Sequence, residues 1–379
     1  MLISTFAHSP AGGWSVPTFP DLDSDRTLVT VFGASDGARD GRAIRELLAA
    51  YPHAHVVGCS TSGEILGTSI SDGGLAVAVC RFDHTTLRSA YAPVADVSQS
   101  RAAGRAVADA LAGPDLRGVL VLSDGMQVNG TELLRGLNEA LPATVVVTGG
   151  LAGDGDRFQS TWVIAGGAPT SGWVSAVGLY GDHVHIGHGS QGGWDSFGPQ
   201  RRVTRSTGNV LFELDGRPAL ALYKEYLGER ASGLPGTALL FPLAIRETRD
   251  ATKTLTRTIL SIDEAAQSMT FAGDMPEGEF VQLMRSSLDR LVDGATAAAR
   301  QTTERSGSAT TSLAIAISCV GRRLVLGERA EEEVEAAKDA LPPGAQMIGF
   351  YSYGEISPYA TGRCDLHNQT MTLTNIQER

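Results

Sequence analysis

Hydrophobic residues in this chain fall into short unbroken runs, and stretches of helical period stand between them. Leu28-Val29-Thr30-Val31-Phe32 is the first run. A glycine-bearing turn at residues 33–37 follows it. Ile44, Leu47, Leu48 and Tyr51 then recur at i, i+3, i+4 and i+7, the spacing of one helix face. Pro52 stops that helix, and residues 55–58 begin a second run. Runs of this length read as buried strands, so the segment predicts a βαβ unit with parallel strands and a right-handed crossover. The pattern returns twice. Residues 118–122 and 145–147 bracket a helix carrying Leu133, Leu134, Leu137 and Leu141, with Asn129 and Glu132 at capping-box spacing ahead of it. Residues 313–317 and 347–353 bracket a helix over 331–341. Glu331, Glu332 and Glu333 suit the positive end of its dipole, and Pro342 and Pro343 end it.

The intervening segments are less regular. Residues 1–26, rich in Gly, Pro, Ser and Asp, read as a loose lead-in. Residues 75–80 and 87–91 predict a short meander, and 98–112 a helix of small residues. Strands are expected at 161–164, 173–180 and 184–188, with a loop at 189–194. Arg217 and Pro218 open a helix that Gly228 closes. Further strands are expected at 238–245 and 255–262, an amphipathic helix at 279–300, and a polar flexible connector at 301–308. The fold class expected is α/β, with α+β mixing as the variant: repeated βαβ units, mixed sheets and two domains. The boundaries expected are a lead-in at 1–26, one domain at 27–216 and a second at 217–379.

Composition narrows the class. A chain of 379 residues exceeds what one core usually supports. The net charge of -11 and pI near 5.2 give no basic footprint for nucleic acid or for an anionic membrane surface. No apolar run approaches the ~20 residues of a spanning helix, and residues 1–20 lack the pattern of a signal peptide. The expected location is the cytoplasm. The cysteines (Cys59, Cys80, Cys319, Cys364) stand far apart with no C-x-x-C pair, which disfavours a structural zinc or a redox dithiol. Cys59 and Cys319 stand out because each sits where a strand runs out.

Chemistry concentrates at the strand ends. Val56-Val57-Gly58-Cys59-Ser60-Thr61-Ser62-Gly63-Glu64-Ile65 echoes Met347-Ile348-Gly349-Phe350-Tyr351-Ser352-Tyr353-Gly354-Glu355-Ile356. Two such turns suggest one pocket built from two halves, floored by the Ser60, Thr61 and Ser62 hydroxyls and backbone amides. Glu64 and Glu355 would hold a ligand ammonium, with the Arg322 fork on its carboxylate; otherwise each glutamate closes its own turn. Gly33-Ala34-Ser35-Asp36-Gly37 matches a nucleophile elbow. The same turn at Ser123, and its Cys319 counterpart, favours loop geometry over a serine hydrolase. The glycine-rich stretches lack the Gly-Lys-Ser/Thr of a phosphate loop. His183, His185 and His188 cluster on one expected strand, where they suit either a polar face or a metal or haem iron. His367 suits a hydrogen-bonding network.

These motifs carry a resemblance. Gly58 to Ile65, Gly149-Gly150-Leu151-Ala152-Gly153-Asp154, Ser190-Gln191-Gly192-Gly193-Trp194, Ser318-Cys319-Val320-Gly321-Arg322, Gly349 to Ile356 and Leu366-His367-Asn368-Gln369-Thr370 occur in the order seen in the FIST sensory family. The chain resembles an N-type plus a C-type FIST domain from about Leu28 onward. That resemblance implies a bacterial small-molecule sensor, for amino acids or related metabolites, with no catalytic activity. The alternative it carries is a haem-based nitric-oxide sensor. No kinase or cyclase segment is recognisable, so the signal is expected to pass in trans to a partner such as a histidine kinase. The ligand-binding set expected is Cys59, Ser60, Thr61, Glu64, Asp154, Cys319, Arg322, Tyr351, Tyr353, Glu355 and Asn368. No cofactor is expected outside the haem alternative, in which His183, His185 and His188 supply the ligand, and Ser35 is the nucleophile of the hydrolase alternative.

Overall fold

The computed structural model describes residues 1–36, 41–306, 311–359 and 362–379, so Gly37 of the elbow motif and residues 307–308 of the expected connector lie outside the described residues. The chain folds as α/β with several mixed sheets. The first unit runs β1 (Leu2–Ser9), β2 (Gly13–Trp14), β3 (Thr27–Ala34), α1 (Arg42–Ala50), β4 (His55–Thr61), the hairpin β5 (Glu64–Leu66) and β6 (Ser69–Ser71), and β7 (Leu75–Arg81). The second repeats this plan. It comprises β8 (Thr86–Pro93), α2 (Ser100–Leu111), β9 (Leu116–Ser123), α3 (Gly130–Ala140), β10 (Val146–Leu151), the hairpin β11 (Val163–Ala165) and β12 (Ala168–Thr170), and β13 (Trp173–Tyr180).

The third unit opens with β14 (Val184–Gln191) and is then interrupted. The insertion holds β15 (Asp195–Thr207), β16 (Val210–Leu214), β17 (Arg217–Pro218), α4 (Ala219–Leu227), β18 (Leu243–Arg246), β19 (Leu255–Arg257), β20 (Ile259–Asp263), β21 (Ser268–Phe271) and β22 (Phe280–Arg285). The unit resumes with α5 (Leu288–Ser306), β23 (Ser312–Cys319), α6 (Val320–Leu326), α7 (Ala330–Ala340), β24 (Ala345–Ser352), the hairpin β25 (Gly354–Pro358) and β26 (Cys364–His367), and β27 (Met371–Glu378).

Each unit pairs its two crossover strands in parallel, β3 with β4, β9 with β10 and β23 with β24. Register places Ala34, Ser123 and Cys319 at equivalent strand ends, opposite Thr61, Leu151 and Ser352. The equivalence expected for Ser35 is thus one residue out. Each hairpin leaves its own unit for a neighbour's sheet. β5 adds to β24, β25 adds to β10, and β11 adds to β4, all antiparallel, so the exchange closes a ring of three.

Side chains alternate across the three sheets. Leu28, Phe32, Val57, Leu120, Leu122 and Ile315 point to one shared core, where the Phe32 and Phe350 rings lie 4.7 Å apart. Val29 and Val31 pack outward on Ile44 and Leu47 of α1, Val119 and Val121 on the α2–α3 pair, and Ala314 and Ala316 on the layer holding α5 and α7. Burial on both faces explains why these strands read as continuous apolar runs.

Four segments differ from the expectation. Residues 1–26 are not a loose lead-in: β1 pairs with β7 along its length, and Trp14 and Phe19 pack with Phe6 and Tyr51. Glycine and proline there serve turns between packed aromatics. The expected helix over 279–300 splits into strand β22 and helix α5, because residues 280–283 alternate buried and open positions as a strand does. The expected connector at 301–308 begins as helix, since α5 runs to Ser306. Half of the loop expected at 189–194 continues β14, to Gln191, which pairs with Met371 of β27.

Candidate functional site

The insertion is tied to the ring by two adjacent strands, β15 and β22, which pair at Asp195 and Arg285. A cavity of about 430 Å³ lies where the insertion faces the C-terminal ends of β9, β10 and β23, the end of a parallel pair where α/β sheets open crevices. The ring supplies Met126, Val128, Leu151, Phe158, Val320 and Leu324; the insertion supplies Leu239, Ile259, Leu260 and Phe271. Nine large apolar side chains stand exposed among the described residues. Five of them (Val97, Met126, Phe158, Leu260 and Leu324) line this one cavity, and apolar surface gathered in this way marks a binding surface.

Few polar groups reach it, and most are engaged. Asn129 caps α3 by accepting from the Glu132 amide at 3.1 Å, and its Nδ2 donates to Asp274 Oδ1 at 3.0 Å across to the insertion. Asn209 donates to the Phe271 carbonyl at 2.7 Å. The Tyr353 hydroxyl donates its one proton to Asp154, with the Gly155 carbonyl 3.1 Å away, while its ring stacks on Phe158 at 4.7 Å. Thr258 Oγ1 is buried on the wall without a hydrogen-bond partner. Cys319 also lines the wall, and burial raises its thiol to about 12, so it stays protonated and behaves as a small apolar group with a weak donor.

Of the residues expected to bind ligand, Cys319 and Tyr353 line this cavity, and Asp154 sits directly behind it. Burial pushes the Asp154 carboxyl up, but the Tyr353 hydroxyl and the amides of Phe158, Gln159 and Ser160 outweigh that and hold it below the ordinary value. Asp154 thereby shapes the loop that carries Phe158. Thr61 and Glu64 line a different hollow of about 500 Å³, with Asp72 and Arg157. Ser60 and Cys59 are buried in β4, where the Ser60 hydroxyl accepts from the Trp162 amide at 3.1 Å.

The structure does not join the two Gly-Glu turns in one hollow. Each glutamate closes its own turn. Glu64 accepts from Thr61 Oγ1 at 2.5 Å and the Gly74 amide at 3.2 Å; Glu355 accepts from Ser352 Oγ at 2.9 Å and Thr370 Oγ1 at 2.7 Å. Burial raises their carboxyls to about 7 and about 8. Nor does Arg322 await a ligand carboxylate. It is fully buried, pairs with Glu333 at 2.5 Å, and donates to the Gly192 and Leu291 carbonyls at 2.6 and 2.8 Å. Tyr351 is buried beside that pair, 3.4 Å from Glu333. Asn368 is buried and donates to the His367 carbonyl.

The histidines disperse as well. His183 is exposed against His84, with ring centroids 4.5 Å apart, and bonds the Arg379 carbonyl. His185 is half-buried, and His188, three residues further along β14, is buried on the opposite face. The three side chains therefore do not share one face of β14. Among the described residues no cluster of three His, Cys, Asp or Glu could hold a metal. Ser35 accepts a hydrogen bond from Arg157 Nη2 at 2.7 Å. Burial lowers His367 to about 4, and it bonds the Ser357 carbonyl at 2.9 Å.

Sequence reasoning missed the insertion's wall (Asn209, Thr258, Phe271 and Asp274), whose local pattern is that of ordinary strands and turns. The apolar rim carries no sequence mark either, because exposure is a tertiary property.

Residues 27–217 match the FIST N domain and residues 219–358 the FIST C domain. No curated protein matches the chain. Among solved structures, a cyanuric acid hydrolase from A. caulinodans aligns over 93% of this chain and 90% of its own, at 8% identity and a TM-score of 0.37. That likeness is too weak to bear on function. No helix among the described residues is long and apolar enough to cross a membrane.

Proposed function

The chain belongs to the FIST family, whose domains are associated with signal-transduction sensing, and from that premise we propose that it is a ligand-binding sensor whose site is the cavity between ring and insertion. The observation that carries this reading is the gathering of exposed apolar side chains around one hollow of about 430 Å³, a size typical of small-molecule pockets. The lining fits a small, largely apolar metabolite with one or two hydrogen-bonding groups. An amino acid with an apolar side chain, or a close derivative, meets that description: its bulk would lie against Phe158, Ile259 and Phe271, and its polar end would face Thr258 and Asp274. The protonated Cys319 favours binding over bond-making.

A ligand that touches both walls stabilises one position of the insertion relative to the ring, and only such differential contact shifts a conformational equilibrium. The signal would then pass in trans to a partner such as a histidine kinase. The reading is tested by thermal denaturation with leucine, phenylalanine and their deaminated analogues. A ligand at 100 times its Kd stabilises by ~2.7 kcal/mol, a rise of several degrees at roughly 2–4 °C per kcal/mol. Ala272→Phe, which fills the cavity, is expected to abolish the shift while leaving the protein folded. If none of these compounds shifts the wild type, or if the shift survives Ala272→Phe, the assignment fails.

A further inference from the structure

A second hollow, of about 310 Å³, opens elsewhere along the seam between ring and insertion. Its ring side is made of two motifs that the apolar cavity leaves unused: Ser190 to Trp194, at the end of β14, and His367 with Thr370, at the end of β26. Its insertion side carries Ser196, Arg246, Thr254 and Thr256. The charged side chains lining it are Arg246 and Arg290, and no carboxylate lines it.

The two cations differ. Arg290 is answered by Asp195 at 2.7 Å. Arg246 is half-buried, and its hydrogen-bond partners are all neutral: Thr254 Oγ1 at 2.9 Å, Gln282 Oε1 at 3.2 Å and Ser196 Oγ at 3.2 Å. Among the described residues no acid lies within ion-pair distance of it. Three of the five donors of a guanidinium are thus engaged by weak acceptors, and the fork is left without a charge to match it. The other polar groups are fixed. His367 donates through Nε2 to the Ser357 carbonyl, which leaves Nδ1 to accept from Ser190 Oγ at 3.4 Å. Trp194 is anchored through Nε1 to the Gln369 carbonyl at 2.8 Å.

We propose that this hollow binds a small organic carboxylate, held by the Arg246 fork and flanked by Trp194 and the Ser190 and Thr254 hydroxyls. The guanidinium is held in place by three neutral oxygens before any ligand arrives. A planar carboxylate would supply the two parallel acceptors that such a fork takes up best. The volume excludes bulky ligands, and the cationic lining excludes cations. This site shares no lining residue with the apolar cavity, so it stands whether or not that cavity binds a metabolite.

The test is calorimetric titration of the purified full chain with succinate, with the neutral isostere succinamide as control, repeated for Arg246→Gln, Arg246→Lys and Ala272→Phe. Succinate is expected to bind and succinamide not to. Arg246→Gln is expected to weaken succinate at least tenfold, and Arg246→Lys, which keeps the charge but loses the fork, by less. Ala272→Phe is expected to leave succinate binding unchanged. Far-UV circular dichroism of each variant separates lost binding from lost folding. Equal binding of succinate and succinamide, succinate affinity unchanged in a folded Arg246→Gln, or no succinate binding by the wild type would each overturn the proposal.

Discussion

Buried ionisable residues here act on their neighbours more than on a ligand. Arg322 and Glu333 are both fully buried and bonded to each other, so removing one leaves an unanswered charge in the interior. Arg322→Met is expected to cost about 3–5 kcal/mol, whereas the double change Arg322→Met with Glu333→Leu recovers most of it. Urea denaturation of the three proteins reads both. Glu64 and Glu355 are different in kind, because burial raises their carboxyls to about 7 and about 8. The folded state then holds more protons than the unfolded one between the ordinary glutamate range and pH 8. Their contribution to stability is therefore complete at low pH and declines as pH rises through 7 and 8. Glu64→Gln and Glu355→Gln mimic the protonated forms, so Tm is expected to fall less between pH 5 and 8 in the double variant than in the wild type. At this scale the sequence was partly readable. That each glutamate closes its own turn was visible as one of two readings, since Thr61 and Ser352 stand three residues before Glu64 and Glu355. The Arg322 pairing was not visible, because Glu333 sits in the first turn of another helix, where an acid suits the dipole by itself, and only packing brings the two together.

Among the elements, the crossover units were legible and the hairpins were not. Strands such as β3 and β23, buried on both faces, announce themselves by uninterrupted apolar runs. Helices α1, α3 and α7 show one apolar stripe each. By contrast β5, β11 and β25 are short and draw their partners from other units, and no local pattern encodes a partner a hundred or more residues away. The strand β22 was misread for a related reason: Leu283 and Met284 fit a helical stripe together with α5 once the strand's register partners are unknown. The α3 cap is one local signal with a long reach, since Asn129 closes the helix and also holds Asp274 of the insertion. Asn129→Ala is expected to cost about 1 kcal/mol from the lost cap. It is also expected to weaken any ligand of the apolar cavity, because both bonds lie on its wall; chemical denaturation and ligand titration separate the two effects.

For the molecule as a whole, the match to the FIST N domain begins at residue 27, yet the sheet it belongs to begins at residue 2. β1 covers β7 and is the outer strand of the first unit, as β8 and β14 are of the others. Deleting residues 1–26 would uncover an edge of seven paired residues on β7 and strip Phe6 and Phe19 from around Tyr51. The truncated protein is expected to lose cooperative unfolding and to aggregate, as light scattering during a thermal ramp would register; a soluble truncation with an unchanged midpoint would show β1 to be dispensable. The composition of that segment hides its role, since glycine and proline mark packed turns and loose tails alike.

The stem of the insertion has a last consequence. β15 enters and β22 leaves side by side, joined at Asp195 and Arg285, while the three-unit ring closes through hairpins that the insertion does not contribute. A chain in which a tight turn bridges residues 195 and 285 would delete the roof and leave the scaffold's connectivity intact. In its connectivity the insertion is thus a cassette. If the proposed cavity is the binding site, exchanging the insertion for another would re-specify the ligand without redesigning the fold that carries it.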